Sequence, residues 1–267
     1  MSNIVEVNKL KTNKISQIFS DQKAFIAFLT AGDPSLDKTE EFILAMSEAG
    51  ADLIEIGIPF SDPIAEGPVI EAANERALSA GTTTDKIFAM VARVREKTAI
   101  PLVFLTYINP VFVYGLERFF KSCQEVGING IIIPDLPFEE KGEILSVAHA
   151  HEVDVITLIA PTSQDRIQML AREATGFIYL VSSMGVTGVR SEIKTDLAAI
   201  IKDIRAVTQT PIAVGFGIAT PEQATAISQL ADGVIVGSAI VRIIAEHGVA
   251  STPILTDYVR EIKAALV

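Results

Sequence analysis

The stretch PIAVGFGIATPEQATAISQLADGVIVGSA, residues 211–239, decides the fold class because it joins two β-rich apolar runs through a segment with helical periodicity. The runs are PIAVGFG (211–217) and GVIVGSA (233–239), and the segment between them, TPEQATAISQLA (220–231), begins with a threonine, a typical N-cap residue. Two strands joined by a crossover helix lie parallel in one sheet. This unit therefore predicts an α/β protein.

The same alternation of strand and helix extends through the rest of the sequence. Six further apolar runs occur at AFIAFLTAG (24–32), DLIEIGIPF (52–60), PLVFLTYIN (101–109), GIIIPDLP (130–137), VDVITLIAP (153–161) and FIYLVSS (177–183). Segments with helical period separate several of them, at 36–50, 83–97, 139–152, 163–175 and 195–208. Eight strands in 267 residues predict one (β/α)8 TIM barrel domain spanning 1–267, rather than an open doubly wound sheet. We also expect an extra N-terminal helix around residues 4–19 under the barrel floor, and a closing helix at 254–266.

Composition and charge exclude several classes of partner. The net charge is −11, without a run of Lys or Arg, so the average field repels nucleic acid and anionic lipid. No apolar stretch approaches the roughly 20 residues that span a bilayer. The single cysteine, Cys123, cannot form an internal disulfide, and no apolar h-region follows the first residues. We therefore expect a cytoplasmic protein that binds neither nucleic acid nor membrane.

A carboxylate lies inside the second apolar run, in IEIGIPFSDPIAEGP (54–68). Because side chains alternate along a strand, the isoleucines at 54, 56 and 58 face the helices and Glu55 faces the barrel interior. Chemistry in this fold occurs at the C-terminal mouth, and an unpaired buried acid should have a raised pKa. Glu55 is thus a candidate proton donor and acceptor. The alternative is a structural acid satisfied by backbone amides or by an arginine.

Glycine-bearing turns follow the three last strands, at Gly185–Gly188, Gly215–Gly217 and Gly237–Ser238. Loops after strands seven and eight, together with a helix N-terminus, form the usual phosphate site of this fold, because bare amides and the helix dipole attract an anion. Each glycine alone is explained equally well by a tight turn. Their shared position favours a phosphate site, and SSMGVTGVRSEI (182–193) suits a lid.

Other chemistries lack their residues. No lysine stands at a strand end for a Schiff base, and His149, His151 and His247 fall in helices rather than in a metal cluster. Carboxylates remain: Glu55 and Glu66 are the main candidates, whereas Asp62 and Asp135 are more typical of turns. Interior positions offer a slot for a flat apolar ring, and these positions are Phe28, Leu105, Tyr107, Ile132, Ile159, Tyr179 and Phe216.

Seven short motifs, in order and near the predicted strand ends, resemble the tryptophan synthase α subunit family almost from end to end. They are FLTAGDP (28–34), IEIGIPFSDP (54–63), IIIPDLP (131–137), APTS (160–163), GVTGVR (185–190), AVGFGI (213–218) and GVIVGSA (233–239). The resemblance implies retro-aldol cleavage of indole-3-glycerol phosphate to indole and glyceraldehyde 3-phosphate in tryptophan biosynthesis, without a metal or a cofactor in this chain. It also implies a β subunit partner in an αββα heterotetramer, with pyridoxal phosphate held only by that partner.

The resemblance implies roles for individual residues. Glu55 matches the family's acid–base glutamate, which protonates indole C3 and takes the proton of the glyceryl hydroxyl. The family's phosphate contacts correspond here to Gly188, Gly217, Gly237 and Ser238. Its indole slot corresponds to Phe28, Leu105, Tyr179 and Phe216. Its lid threonine corresponds to Thr187. The loops around Asp62-Pro63, Asn109-Pro110 and Pro137 resemble the face that meets the β subunit.

One position departs from the family pattern. The family has an aspartate in a pattern like DPxADGP, whereas this sequence reads DPIAEGP with Glu66. The added methylene shifts the acid by about a bond length, and a misplacement of ~1 Å can cost on the order of a hundredfold in rate. We expect Glu66 to keep the family role, stabilisation of charge at the indole N–H. The alternatives are a catalytically weak phosphate-binding subunit that mainly activates a β subunit, and a different barrel enzyme acting on a sugar phosphate.

Overall fold

The computed structural model describes residues 14–161, 166–182, 190–215 and 217–266. Its nine strands form one sheet in which every pairing is parallel, in the order β5-β4-β3-β2-β1-β9-β8-β7-β6. The strands are β1 Ala24–Thr30, β2 Leu53–Gly57, β3 Leu102–Leu105, β4 Gly130–Ile132, β5 Asp154–Val155, β6 Thr157–Ile159, β7 Ile178–Val181, β8 Ile212–Gly215 and β9 Gly233–Val236. Each of the eight predicted apolar runs contains one of these strands, except that the run 153–161 contains two.

The barrel closes through the run 153–161. Within it, β5 pairs with β4 and β6 pairs with β7, and only Ile156 separates the two short strands. The two ends of the sheet order are therefore consecutive parts of one barrel strand. The (β/α)8 barrel predicted from the sequence is confirmed, with its fifth strand divided at Ile156.

Twelve α-helices lie within the described ranges. They are α1 Lys14–Gln17, α2 Leu36–Ala49, α3 Pro68–Ser79, α4 Thr84–Arg95, α5 Ile108–Tyr114, α6 Leu116–Val126, α7 Lys141–Ala150, α8 Ile167–Arg172, α9 Arg190–Arg205, α10 Pro221–Ser228, α11 Ser238–His247 and α12 Thr252–Ala264. The sequence analysis did not predict α3, α5 and α6, and it placed the last helix two residues late. The remainder of the predicted helix at 4–19, residues 4–13, lies outside the described residues. None of the helices in the described ranges combines the length and apolarity that a bilayer crossing needs.

Alternation along the strands produces two apolar layers. The isoleucines at 54, 56 and 58 join the layer between the strands and the helices, whereas Leu53, Ile132 and Tyr179 belong to the cluster inside the barrel. Ile132 therefore faces inward as predicted. The inward assignment of Ile159 is wrong, because it packs in the outer layer while its neighbour Leu158 packs against the inner cluster.

The barrel floor is covered by α1, whose Ile15 is fully buried against the inner cluster. Around this floor, three strands are each preceded by a residue whose side chain accepts a hydrogen bond. The donor is a backbone N–H near the start of the previous strand in the chain. Asp52 accepts from the Phe25 N–H at 2.6 Å, Asn129 from the Leu102 N–H at 3.1 Å, and Asp232 from the Ile212 N–H at 2.7 Å. These bonds hold consecutive parallel strands in register, and so align the strand ends at the opposite mouth.

Asp52 carries the largest share of these floor contacts. Its carboxylate also accepts from Lys263 Nζ on α12 at 2.6 Å and from Gln22 Nε2 at 2.8 Å, which ties the closing helix to the start of β1. Its side chain is only 11% exposed, so the ion pair is partly shielded from water.

We predict that Asp52→Ala lowers the free energy of unfolding by about 2 kcal/mol, because the Phe25 N–H and the Lys263 ammonium both lose their acceptor. Urea denaturation followed by circular dichroism measures this change. The matched control is Asp21→Ala, which removes an exposed carboxylate from the neighbouring turn. An equal loss in the two variants would show that Asp52 does not hold the floor together.

Candidate active site

Glu55 occupies the centre of β2, where its Cα is in register with Phe28 of β1 and Val103 of β3. Its neighbours Ile54 and Ile56 pack in the outer layer, and the glutamate is only 1% exposed. The strand thus holds a carboxyl group inside the barrel. This is the orientation that the alternation of the sequence predicts.

Burial dominates the electrostatics of this carboxyl group. Burial, and after it the nearby charge of Glu66, raise the pKa of Glu55 to about 8. Glu55 Oε2 is buried and has no hydrogen-bond partner within the described part of the chain, and no ion pair of Glu55 occurs there. A structural acid would need a hydrogen bond or an ion pair as a partner. The described ranges show no hydrogen bond to Oε2 and no ion pair of Glu55, so they give the structural-acid alternative no support. A pKa of about 8 favours the protonated form of Glu55 at neutral pH.

Glu66 lies in the loop between β2 and α3 and is partly buried. Tyr107, the residue that precedes α5, donates its hydroxyl hydrogen to Glu66 Oε2. The same hydroxyl oxygen accepts from the Ile64 N–H at 3.0 Å and from the Ala65 N–H at 2.8 Å. Tyr107 therefore fixes both the loop and the carboxylate it carries. The sequence suggested only a slot-lining role for Tyr107, and nothing in a separation of 41 residues could have revealed this bond.

Opposing effects act on the pKa of Glu66. Burial raises it, and the hydrogen bond donated by Tyr107 opposes that rise. Glu55 is buried more deeply and has no such donor among the described residues. The net shift of the Glu66 pKa is still upward, and the charge of Glu71 contributes to it. The two carboxyl groups thus have different environments, and only Glu66 has a described donor that favours its ionised form.

The predicted ring slot is formed in part by the described residues. Phe28 and Leu105 share an apolar cluster at the mouth, and Leu105 also packs against the inner cluster that contains Tyr179. The Phe28 ring depends on Gly57, since a Cβ there would approach the ring to 2.8 Å. The charge of Glu55 also raises the pKa of Tyr179, after the larger effect of burial, which places the phenol near that carboxyl group.

The phosphate site is also described in part. Gly237 immediately precedes α11, Ser238 is the first residue of that helix, and both follow β9 at the mouth. Gly217 follows β8 with φ +79°, a left-handed conformation that favours glycine. Free N–H groups at the start of a ten-residue helix suit an anion. The predicted residues Thr187, Gly188 and Phe216 lie outside the described residues.

The two weaker acidic candidates have local structural contacts. Asp135 accepts from the Ile108 N–H at 2.9 Å and so caps the start of α5, while Asp62 accepts from the Ser61 hydroxyl. Within the described ranges, no three or more His, Cys, Asp or Glu side chains group as metal ligands would. The independence from metals and cofactors stays a prediction.

Comparisons with known proteins agree with this geometry. The family model described as the tryptophan synthase alpha chain matches residues 16–264. A curated tryptophan synthase alpha chain from Lactiplantibacillus plantarum is 51% identical over 253 residues, which are 94% of this chain and 96% of that protein.

Solved structures show the same likeness. The tryptophan synthase alpha subunit of Legionella pneumophila is 33% identical, with a TM-score of 0.86 over 95% of this chain and 98% of that one. A chain of the tryptophan synthase α2β2 complex from Pyrococcus furiosus is 36% identical, with a TM-score of 0.83 over 90% and 98% of the two chains. A match of this extent shows that this chain belongs to the tryptophan synthase α chain family, the lyases that cleave indole-3-glycerol phosphate in tryptophan biosynthesis.

Proposed function

We propose that the chain cleaves indole-3-glycerol phosphate to indole and glyceraldehyde 3-phosphate, with Glu55 as the group that moves the proton. The observation that carries this proposal is the buried carboxyl group of Glu55, whose Oε2 has no hydrogen-bond partner in the described part of the chain and whose pKa of about 8 favours the protonated form at neutral pH. A proton donor with a pKa near the working pH is the most effective general acid.

The reaction follows from one proton transfer in each direction. Glu55 donates its proton to indole C3, which interrupts the conjugation of the ring and leaves positive charge at the ring nitrogen. The carboxylate thus formed takes the proton of the hydroxyl on the carbon attached to C3. As that carbon becomes an aldehyde, the C–C bond breaks and its electrons restore the indole. The proton taken from the hydroxyl restores the acid form of Glu55, so the enzyme is regenerated.

Glu66 stabilises the intermediate, since its carboxylate faces the positive charge that develops at the indole N–H. Tyr107 is a positioning residue that acts through Glu66, because its hydroxyl donates to that carboxylate and anchors the loop. Phe28, Leu105 and Tyr179 would hold the ring. The start of α11 at Gly237 and Ser238, with Gly217, would hold the phosphate.

The direct test is Glu55→Gln, which keeps the size of the side chain and removes its exchangeable acid proton. We expect indole release to fall by at least about a thousandfold, near the upper range for loss of a general acid. The affinity for indole propanol phosphate, which has the ring and the phosphate but no hydroxyl, should change less than about threefold. Indole release and calorimetric titration measure the two quantities.

Glu48→Gln is the matched control, since it makes the same change on the exposed side of α2. Full indole release by Glu55→Gln would remove Glu55 from the mechanism. Loss of both indole release and analogue binding would instead indicate that Glu55 only supports the structure.

A second prediction concerns the carboxylate of Glu66. Glu66→Ala should lower kcat by roughly a hundredfold, the order observed when a donor or charge to a transition state is removed. Glu66→Asp should retain more activity than Glu66→Ala. A Glu66→Ala variant as fast as the parent would overturn the role of Glu66.

Tyr107→Phe tests how that carboxylate is held. The hydrogen bond from Tyr107 lowers the pKa of Glu66, so its loss should move the acid limb of the kcat–pH profile to higher pH. On the alkaline side of that limb, Tyr107→Phe should retain a higher kcat than Glu66→Ala. An unshifted acid limb would show that Tyr107 does not act through Glu66.

The proposed partner is a tryptophan synthase β subunit, and the pyridoxal phosphate would belong to that partner. The support comes from relatives solved as tryptophan synthase complexes and from exposed apolar side chains near Asp62-Pro63 in its loop and near Asn109-Pro110, which the structure places in α5. Ile64 is 79% exposed, Val113 is 79% exposed and Phe112 is 53% exposed. Such side chains are typical of an interaction surface when they cluster. An αββα assembly is the proposed form.

Two further expectations stay proposals. A cytoplasmic location agrees with a single, buried, unpaired Cys123, and the acidic net charge still argues against nucleic acid and anionic membranes as partners. The alternative of a catalytically weak subunit gains no support from the family match, and Glu66 has a donor that positions it near Glu55.

A further inference from the structure

A cavity of about 320 Å³ lies where the barrel wall divides at Ile156. Before Ile156, β5 pairs with β4, whereas after Ile156, β6 pairs with β7. We call the gap that this leaves between the ends of β4 and β6 the seam. Ile133 and Pro134 line one side of the seam, and Leu158 and Leu170 line the other. The lining includes none of the residues that we place in the active site.

Lys141, the first residue of α7, is a partly buried cation in this cavity. Burial lowers the pKa of its ammonium group, and the charge of Glu173 partly offsets that effect. Within the described ranges, Nζ donates to the Thr157 hydroxyl at 3.4 Å, the long limit for a hydrogen bond, and lies 5.7 Å from the centre of the Phe138 ring. No carboxylate in the described part of the chain forms an ion pair with Lys141.

The second cation of the cavity is already satisfied. Arg166 stands at the rim, about half exposed, and pairs with Glu139 at 2.6 Å. Glu139 is paired with Arg166, and Glu173 acts on Lys141 through its charge without forming an ion pair with it in the described ranges. The Lys141 ammonium group has three donors and one long hydrogen bond there, so an anion inside the seam would supply it with an acceptor.

We propose that this seam is a binding site for a small organic monocarboxylate with a flat or branched apolar body. Its carboxylate would accept from Lys141 Nζ and the Thr157 hydroxyl, and its body would contact Ile133, Leu158 and Leu170. An apolar cavity of 150 Å³ accommodates benzene, so a volume of about 320 Å³ is sufficient for a ring with a carboxylate. The lining of the site shares no residue with the set that we place in the active site, and the inference does not depend on the lyase activity.

Benzoate is the probe, and benzamide is its neutral isostere. Leucine methyl NMR of the parent should show saturable shifts at Leu158 and Leu170 on addition of benzoate, with no shift at Leu105 of the mouth. Benzamide should bind at least roughly tenfold more weakly, because a charge-assisted bond becomes a neutral contact. This comparison needs no variant.

Lys141→Met tests the residue itself, because methionine keeps the apolar stem without the charge. It should weaken benzoate binding roughly tenfold or more, and thermal unfolding without ligand should occur at or above the temperature of the parent. Lys121→Met, on the exposed face of α6, is the control and should leave benzoate affinity unchanged. Indole release should be the same in all three proteins.

Four results would overturn the proposal: no saturable shift, shifts at Leu105 instead, equal binding of benzamide, or undiminished binding by Lys141→Met. If Lys141→Met fails to fold, the comparison of benzoate with benzamide on the parent still decides the question.

Discussion

The cost of removing one carboxyl group from water governs this active site. Glu55 is buried within a parallel strand, and burial raises its pKa to about 8. A carboxylate in that position would require a counterion, and none of the described residues supplies one. In the proposed reaction, this carboxyl group holds the proton that the ring carbon receives. Glu66, closer to the loop surface and bonded to Tyr107, can carry the complementary negative charge. The difference in environment, more than the identity of the two side chains, separates their roles.

The rest of the fold serves to keep this arrangement in place. Acceptors at the floor, such as Asp52 and Asp232, fix where each strand begins, and consecutive strands consequently end at the same mouth. There β2 carries Glu55, Tyr107 before α5 donates the hydrogen bond that holds Glu66, and only Gly237 separates β9 from α11. A shift of one residue in β2 would turn Glu55 outward among the helices and an isoleucine inward. Register is thus a catalytic requirement as well as a structural one.

Local signals predicted much of this molecule, and nonlocal contacts explain most of the rest. Alternation predicted the inward Glu55, and turn glycines predicted the start of α11 at Gly237. Helix α5 was missed because INPVFVY contains a proline and β-branched residues, and its first N–H is capped by Asp135 from a loop 27 residues away. Helix α3 did have a signal, Gly67 before Pro68, and it was overlooked. The bond between Tyr107 and Glu66, and the unpaired Lys141, depend on packing that no periodicity reveals.

The protonation state of Glu55 can be observed directly. Infrared difference spectroscopy of the parent against Glu55→Gln isolates the C=O stretch of a single protonated carboxyl group. The account predicts that this band is present at pH 7, shifts on exchange into D2O, and disappears as the pH rises through about 8. If the difference spectrum at pH 6 shows only the carboxylate bands of an ionised glutamate, Glu55 cannot store the proton that the reaction needs, and the account is contradicted.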